Sequence, residues 1–74
     1  MKDYIDRIKE QREDNDIKQE TIAKIINTNQ SNYSKIERKE RNLNIEQLIK
    51  ICYFYNLSSD YILGLPKGLN YPEN

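Results

Sequence analysis

Gln30, Ser31, Asn32 and Lys35 put two carboxamides, a hydroxyl and an ammonium within six residues of one another. A Gln or Asn carboxamide can donate and accept a hydrogen bond at once, which matches the edge of adenine. A lysine ammonium matches guanine or a phosphate. Tyr33 and Ile36, three residues apart in the same stretch, supply an opposing apolar side. A helix over residues 30–38 would bury that side and present the hydrogen bonders on the other. Other chemistry is sparse. There is no histidine, and Cys52 is the only cysteine, so neither a disulfide within the chain nor a zinc site of ordinary spacing can form. No nucleophile lies beside a base, and no glycine-rich loop could cradle a phosphate, so an enzyme is not expected. No cofactor, metal or small-molecule ligand is implied.

The segment before these residues must aim them. Ile22, Ala23, Ile25 and Ile26 predict a helix over residues 18–26. Asn27 follows, a residue type that tolerates the left-handed conformation needed to turn the chain. Asn29 is placed to cap the next helix. Two short helices joined by a tight turn are the arrangement that delivers a polar helix face into the major groove, so double-stranded DNA is the expected partner.

Three more helices and no strand are expected around this pair. The first spans about residues 3–14, with Tyr4, Ile5 and Ile8 inward and Gln11 and Arg12 continuing the face. The fourth is capped by Asn44, with Gln47 completing a capping box. Its expected core stripe is Ile45, Leu48, Ile49 and Cys52, with Ile51 and Tyr55 at the margins. Ser58 caps a short fifth helix holding Tyr61, Ile62 and Leu63, which Gly64 ends. Pro66, Gly68 and Pro72 interrupt any further regular pattern. The expected organisation is one domain over residues 1–65 and an irregular tail over 66–74.

Net charge is zero, but its distribution is uneven. Residues 21–50 carry six basic against three acidic side chains, while residues 1–20 carry five against seven. Lys35, Arg38, Lys39 and Arg41 cluster beside the proposed reading face. Arg38, Lys39 and Arg41 are either a solvated loop or phosphate contacts, and Glu37 and Glu40 among them weaken the field. No apolar run is long enough to span a membrane and no signal peptide is visible, so a cytoplasmic protein is expected.

In the order and spacing of these pieces the chain resembles the Cro and lambda-repressor-like helix-turn-helix family, XRE type. The resemblance runs from about Ile8 to Leu65. It is carried by the stretches Ile8 to Glu13, Gln19 to Ala23, Gln30 to Arg38, Asn44 to Leu48 and Leu57 to Gly64. It implies an all-α fold of five short helices. It also implies that Gln19 binds a backbone phosphate, that Gln30, Ser31 and Lys35 face base edges with Asn32 beside them, and that Asn29, Arg38 and Arg41 hold phosphates around them. Arg12 and Glu37 match two positions that usually pair. The chain departs from the family pattern in four places. Asn27 and Lys39 stand where glycine is common, Leu43 where proline is common, and Lys18 where a small N-cap residue is common.

The expected function is that of a sequence-specific DNA-binding transcription regulator, a repressor, with a protein-interaction module of the same fold (antitoxin or anti-repressor) as the alternative. A single recognition helix reads few base pairs, and each mismatch is worth only about 1–3 kcal/mol. A homodimer is therefore expected, and its surface must avoid the reading helix. Tyr53, Phe54, Leu57, Leu65, Leu69 and Tyr71 are the candidates, since aromatic residues favour interface cores and Tyr53, Phe54 and Tyr55 cannot all point inward. The alternative is that Leu65, Leu69 and Tyr71 fold back on their own domain and the chain pairs only on DNA.

Overall fold

The computed structural model describes residues 2–65. These form five helices: α1 (Tyr4–Asp14), α2 (Gln19–Ile25), α3 (Gln30–Glu37), α4 (Ile45–Tyr55) and α5 (Ser59–Leu63). There is no strand among the described residues. The expected tail, with Leu69 and Tyr71, lies outside them.

Side-chain caps set most of the helix starts. Asp3 and Asp6 exchange side-chain and backbone hydrogen bonds in a capping box, and Asn44 and Gln47 do the same at α4. Asn29 Oδ1 accepts from the Asn32 amide at 2.8 Å, and Ser58 Oγ from the Tyr61 amide at 3.1 Å. Each cap satisfies an amide that the first helical turn leaves unpaired. Only α2 lacks one: Lys18 offers no side-chain acceptor there. The connections use residues in the left-handed region, namely Asp16, Asn27, Lys39, Asn56 and Gly64. Three of the four non-glycine examples are Asn or Asp, whose short polar side chains tolerate it.

The helices close over Ile5, Ile8, Ile22, Ala23, Ile26, Tyr33, Ile36, Leu48, Ile51 and Ile62. Full burial of one such aliphatic side chain contributes about 1.5–3 kcal/mol. α2 packs chiefly on α3. α1 meets α3 and α5, and α4 meets α2 and α5. The interior thus backs α3 from two sides.

One expectation, the core stripe of α4, fails in the C-terminal half. Leu48 and Ile51 are the buried residues of α4, while Ile45 is 70% and Ile49 46% exposed. The reason is that apolar side chains cover more than half of the circumference of this helix, with Glu46, Gln47 and Lys50 on the rest, so periodicity alone could not choose the inward stripe within that broad arc. Packing against α2 and α5 selects the stripe centred on Leu48 and Ile51, with Cys52 and Tyr55 half-buried at its edge. In α5 only Ile62 is buried, and Tyr61 and Leu63 are exposed. Successive helical side chains point about 100° apart, so three in a row cannot share one buried side.

Candidate nucleic-acid interface

α3 has two contrasting sides. Tyr33, Ile36 and Glu37 are buried, and Gln30, Ser31 and Lys35 are exposed. None of the exposed three has a side-chain hydrogen bond or ion pair to another described residue, so their donors and acceptors face outward uncommitted. Asn32 is placed differently. Its Nδ2 donates to Thr28 Oγ1 at 3.3 Å and its Oδ1 accepts from Arg41 Nη1 at 3.0 Å. Asn29 spends its side-chain oxygen on the α3 cap.

The buried end of α3 is tied down by a carboxylate. Arg12 Nε donates to Glu37 Oε2 at 2.6 Å and Nη2 to Oε1 at 3.0 Å, a bidentate pair. The remaining Arg12 donor, Nη1, reaches the Ile17 carbonyl at 2.9 Å. Gln19, at the start of α2, adds a donation from Nε2 to Glu37 Oε1 at 2.9 Å. One carboxylate therefore joins α1, α2 and α3, and the Gln19 side chain is partly drawn inward from where a phosphate contact was expected. Burial pushes the Glu37 pKa up, but the bonds from Arg12 and Gln19, with the Tyr33 hydroxyl nearby, outweigh it and hold the carboxyl below its ordinary 4.5. The Arg12 pKa rises because of its bond to Glu37. Near the pair lie the Tyr33 and Tyr55 hydroxyls, both buried and neither in hydrogen-bonding geometry with any described residue. Burial pushes the Tyr33 pKa up strongly and that of Tyr55 up to about 12.

The basic residues after α3 do not act as one patch. Arg38 pairs with Glu40 at 2.5 Å and also donates to Ser34 Oγ. The Lys39 ammonium is 3.1 Å from both the Asp3 and the Asp6 carboxylate, which turns it toward the start of α1. These bonds raise its pKa. Arg41 is held by the neutral Asn32 instead. Sequence reasoning missed the Lys39 ion pairs and the Asn32–Arg41 bridge, since both depend on where the loop folds back.

Of the residues expected at a dimer interface, Tyr53 is 82%, Phe54 44% and Leu65 45% exposed, and Leu57 is half-buried. Ile45 and Ile49, four residues apart and four before Tyr53, extend this surface along α4. No described helix is long and apolar enough to cross a membrane. Among the described residues no cluster of three or more His, Cys, Asp or Glu could hold a metal ion.

This geometry agrees with comparison of the sequence with known proteins. The helix-turn-helix family matches residues 8–62, from the middle of α1 into α5. The chain belongs to the XRE-type helix-turn-helix family. The HTH-type transcriptional regulator ImmR of Bacillus subtilis (strain 168) is 36% identical over 58 residues, covering 78% of this chain and 46% of that relative. The chain thus spans about half the length of the curated relative it matches. No solved structure matches it. Within the helix-turn-helix frame α2 and α3 are the paired helices, and the two positions where glycine is common, Asn27 and Lys39, have φ of 58° and 64°. Both residues thus adopt the left-handed conformation that favours glycine. Asn accepts it at little cost, whereas a lysine adopts it at a penalty of roughly 1–2 kcal/mol.

Proposed function

We propose that this helix-turn-helix protein binds double-stranded DNA sequence-specifically as a transcription regulator, acting as a repressor, with α3 in the major groove. The observation that carries the reading is the split of α3. Its uncommitted outer face of Gln30, Ser31 and Lys35 is mounted on a rigid inner face that the Arg12–Glu37 pair locks to two other helices. Free donors and acceptors carried on a fixed helix suit base edges, and Arg38 and Arg41 follow α3 closely in sequence for phosphates. A homodimer would double the reading. Tyr53, Phe54, Leu57 and Leu65, extended by Ile45 and Ile49, offer an apolar surface for it, and Leu69 and Tyr71 follow in sequence. Two half-sites would then lie about 34 Å apart.

Selection of tight-binding duplexes from a random pool tests the proposal. A symmetric consensus supports both DNA reading and pairing. The neutralised charges of Arg38 and Lys39 favour a second reading, in which the same domain binds a protein partner through its apolar side. Salt separates the two. A phosphate-driven complex weakens with a logarithmic slope of about −0.9 per neutralised phosphate, and an apolar protein complex does not.

A further inference from the structure

Three cations follow or end α3, and their partners differ in kind. The charge of Arg38 is offset by Glu40, and that of Lys39 by Asp3 and Asp6. Arg38 also donates to Ser34 Oγ, but Arg41 alone of the three has, among the described residues, no carboxylate partner, only the uncharged Asn32 Oδ1 at 3.0 Å. A neutral acceptor fixes a guanidinium without cancelling its field. The orientation of the Asn32 carboxamide follows from chemistry. Arginine only donates, so the oxygen must face Arg41, and the nitrogen is then directed to Thr28 Oγ1. Each end of the carboxamide already has one partner that fixes its direction. Bidentate reading of adenine would have to use the second N–H and the second lone pair in that fixed orientation or break the bridge. Asn32 is further constrained because its own amide is the one that Asn29 caps.

We infer that Asn32 is a positioning residue rather than a base reader: it bridges the turn before α3 to the loop after it and aims Arg41 as the principal phosphate anchor of that loop. This rests on the DNA-binding reading above and assigns the site's phosphate and base roles among its own residues. Base reading then falls to Gln30, Ser31 and Lys35, and Arg38 and Lys39 contribute less to the salt dependence than their charge suggests.

Two measurements on the full chain test the inference. In the free protein, nitrogen relaxation of the Arg41 Nε–H group should report an ordered side chain that becomes mobile in Asn32→Ala. An Arg41 side chain already mobile in the unaltered protein overturns the bridge without reference to DNA. On the selected duplex, Asn32→Ala and Arg41→Ala should weaken binding to all sequences alike and flatten the salt slope by about one unit. With one phosphate left unneutralised, the advantage of the unaltered protein should shrink about 3.5-fold when salt is raised fourfold. The double variant should be no weaker than Arg41→Ala. A changed base preference in Asn32→Ala, or an unchanged salt slope, sinks the assignment while leaving DNA binding intact. If the unaltered chain binds no duplex, the DNA reading fails and this role fails with it.

Discussion

Replacing Glu37 with alanine probes fold and site together. The substitution removes both carboxylate oxygens from Arg12 and the acceptor from Gln19. Arg12 keeps only its bond to the Ile17 carbonyl. Loss of one partner from a buried pair costs about 3–5 kcal/mol, because a charge is left uncompensated. The Glu37 side chain is 3% exposed but that of Arg12 is 13%, so water reaches the arginine and the lower end, about 3 kcal/mol, is expected. A domain of this size has roughly 4–11 kcal/mol of stability in total. The melting midpoint followed by circular dichroism should therefore fall by roughly 12–24 °C. The double variant Arg12→Met, Glu37→Leu should regain most of the loss, since an apolar pair of similar volume avoids the desolvation penalty. A fall of less than about 4 °C in Glu37→Ala would refute the reasoning, because it would show the pair to be worth no more than an exposed one.

Acid should act through the same carboxylate. Its folded pKa lies below the ordinary 4.5, so its stabilisation is present above that value and is lost as pH falls through the folded pKa. Glu37→Gln should flatten the acid limb of a stability-against-pH curve, and an unchanged limb would place the acid sensitivity elsewhere. Lys18→Ser should give α2 the side-chain cap it lacks and raise stability by about 1 kcal/mol in urea unfolding, with no gain if serine does not reach the second or third amide. Tyr55→Phe removes a buried hydroxyl that has no partner among the described residues, so stability should be unchanged or higher by up to about 1 kcal/mol; a clear loss in the same assay would reveal a bond to that hydroxyl. Gln30→Ala should change the preferred base at one or two operator positions at a cost of about 1–3 kcal/mol in a competition assay, whereas equal weakening of every sequence would move Gln30 to a phosphate.

What could be read in the sequence was local. Asn29, Asn44 and Ser58 cap helices because a short side-chain oxygen reaches a free amide two or three residues on, and Asn27 turns the chain because its backbone preference allows it. Tyr33 and Ile36 could be assigned to the core because α3 has so few other apolar residues. α4 had the opposite difficulty. With Ile45, Leu48, Ile49, Ile51, Cys52, Tyr53, Phe54 and Tyr55 in one helix, the inward direction depends on which neighbours dock, and Ile45 and Ile49 ended outside. The pairing of Arg12 with Glu37 spans 25 residues, so it was suggested by family resemblance and not by spacing. The bonds of Lys39 to Asp3 and Asp6 carry no local signal, because they arise only when the left-handed loop residue swings its side chain back to α1.

The division of α3 into a locked and an uncommitted side bears on how such a protein can change. Tyr33 is fully buried and Ile36 and Glu37 nearly so, and each answers to residues on other helices. Gln30, Ser31 and Lys35 answer to none of the described residues, and exposed substitutions of this kind usually alter stability by no more than about 0.5 kcal/mol. Variation can therefore accumulate on the outer side while the scaffold tolerates it. On the proposed reading, descendants could part company in their targets through two or three exchanges, each at little expected cost to the fold. Grafting a foreign outer face onto this inner one should likewise yield folded proteins, which makes the domain a practical frame for recombining specificities.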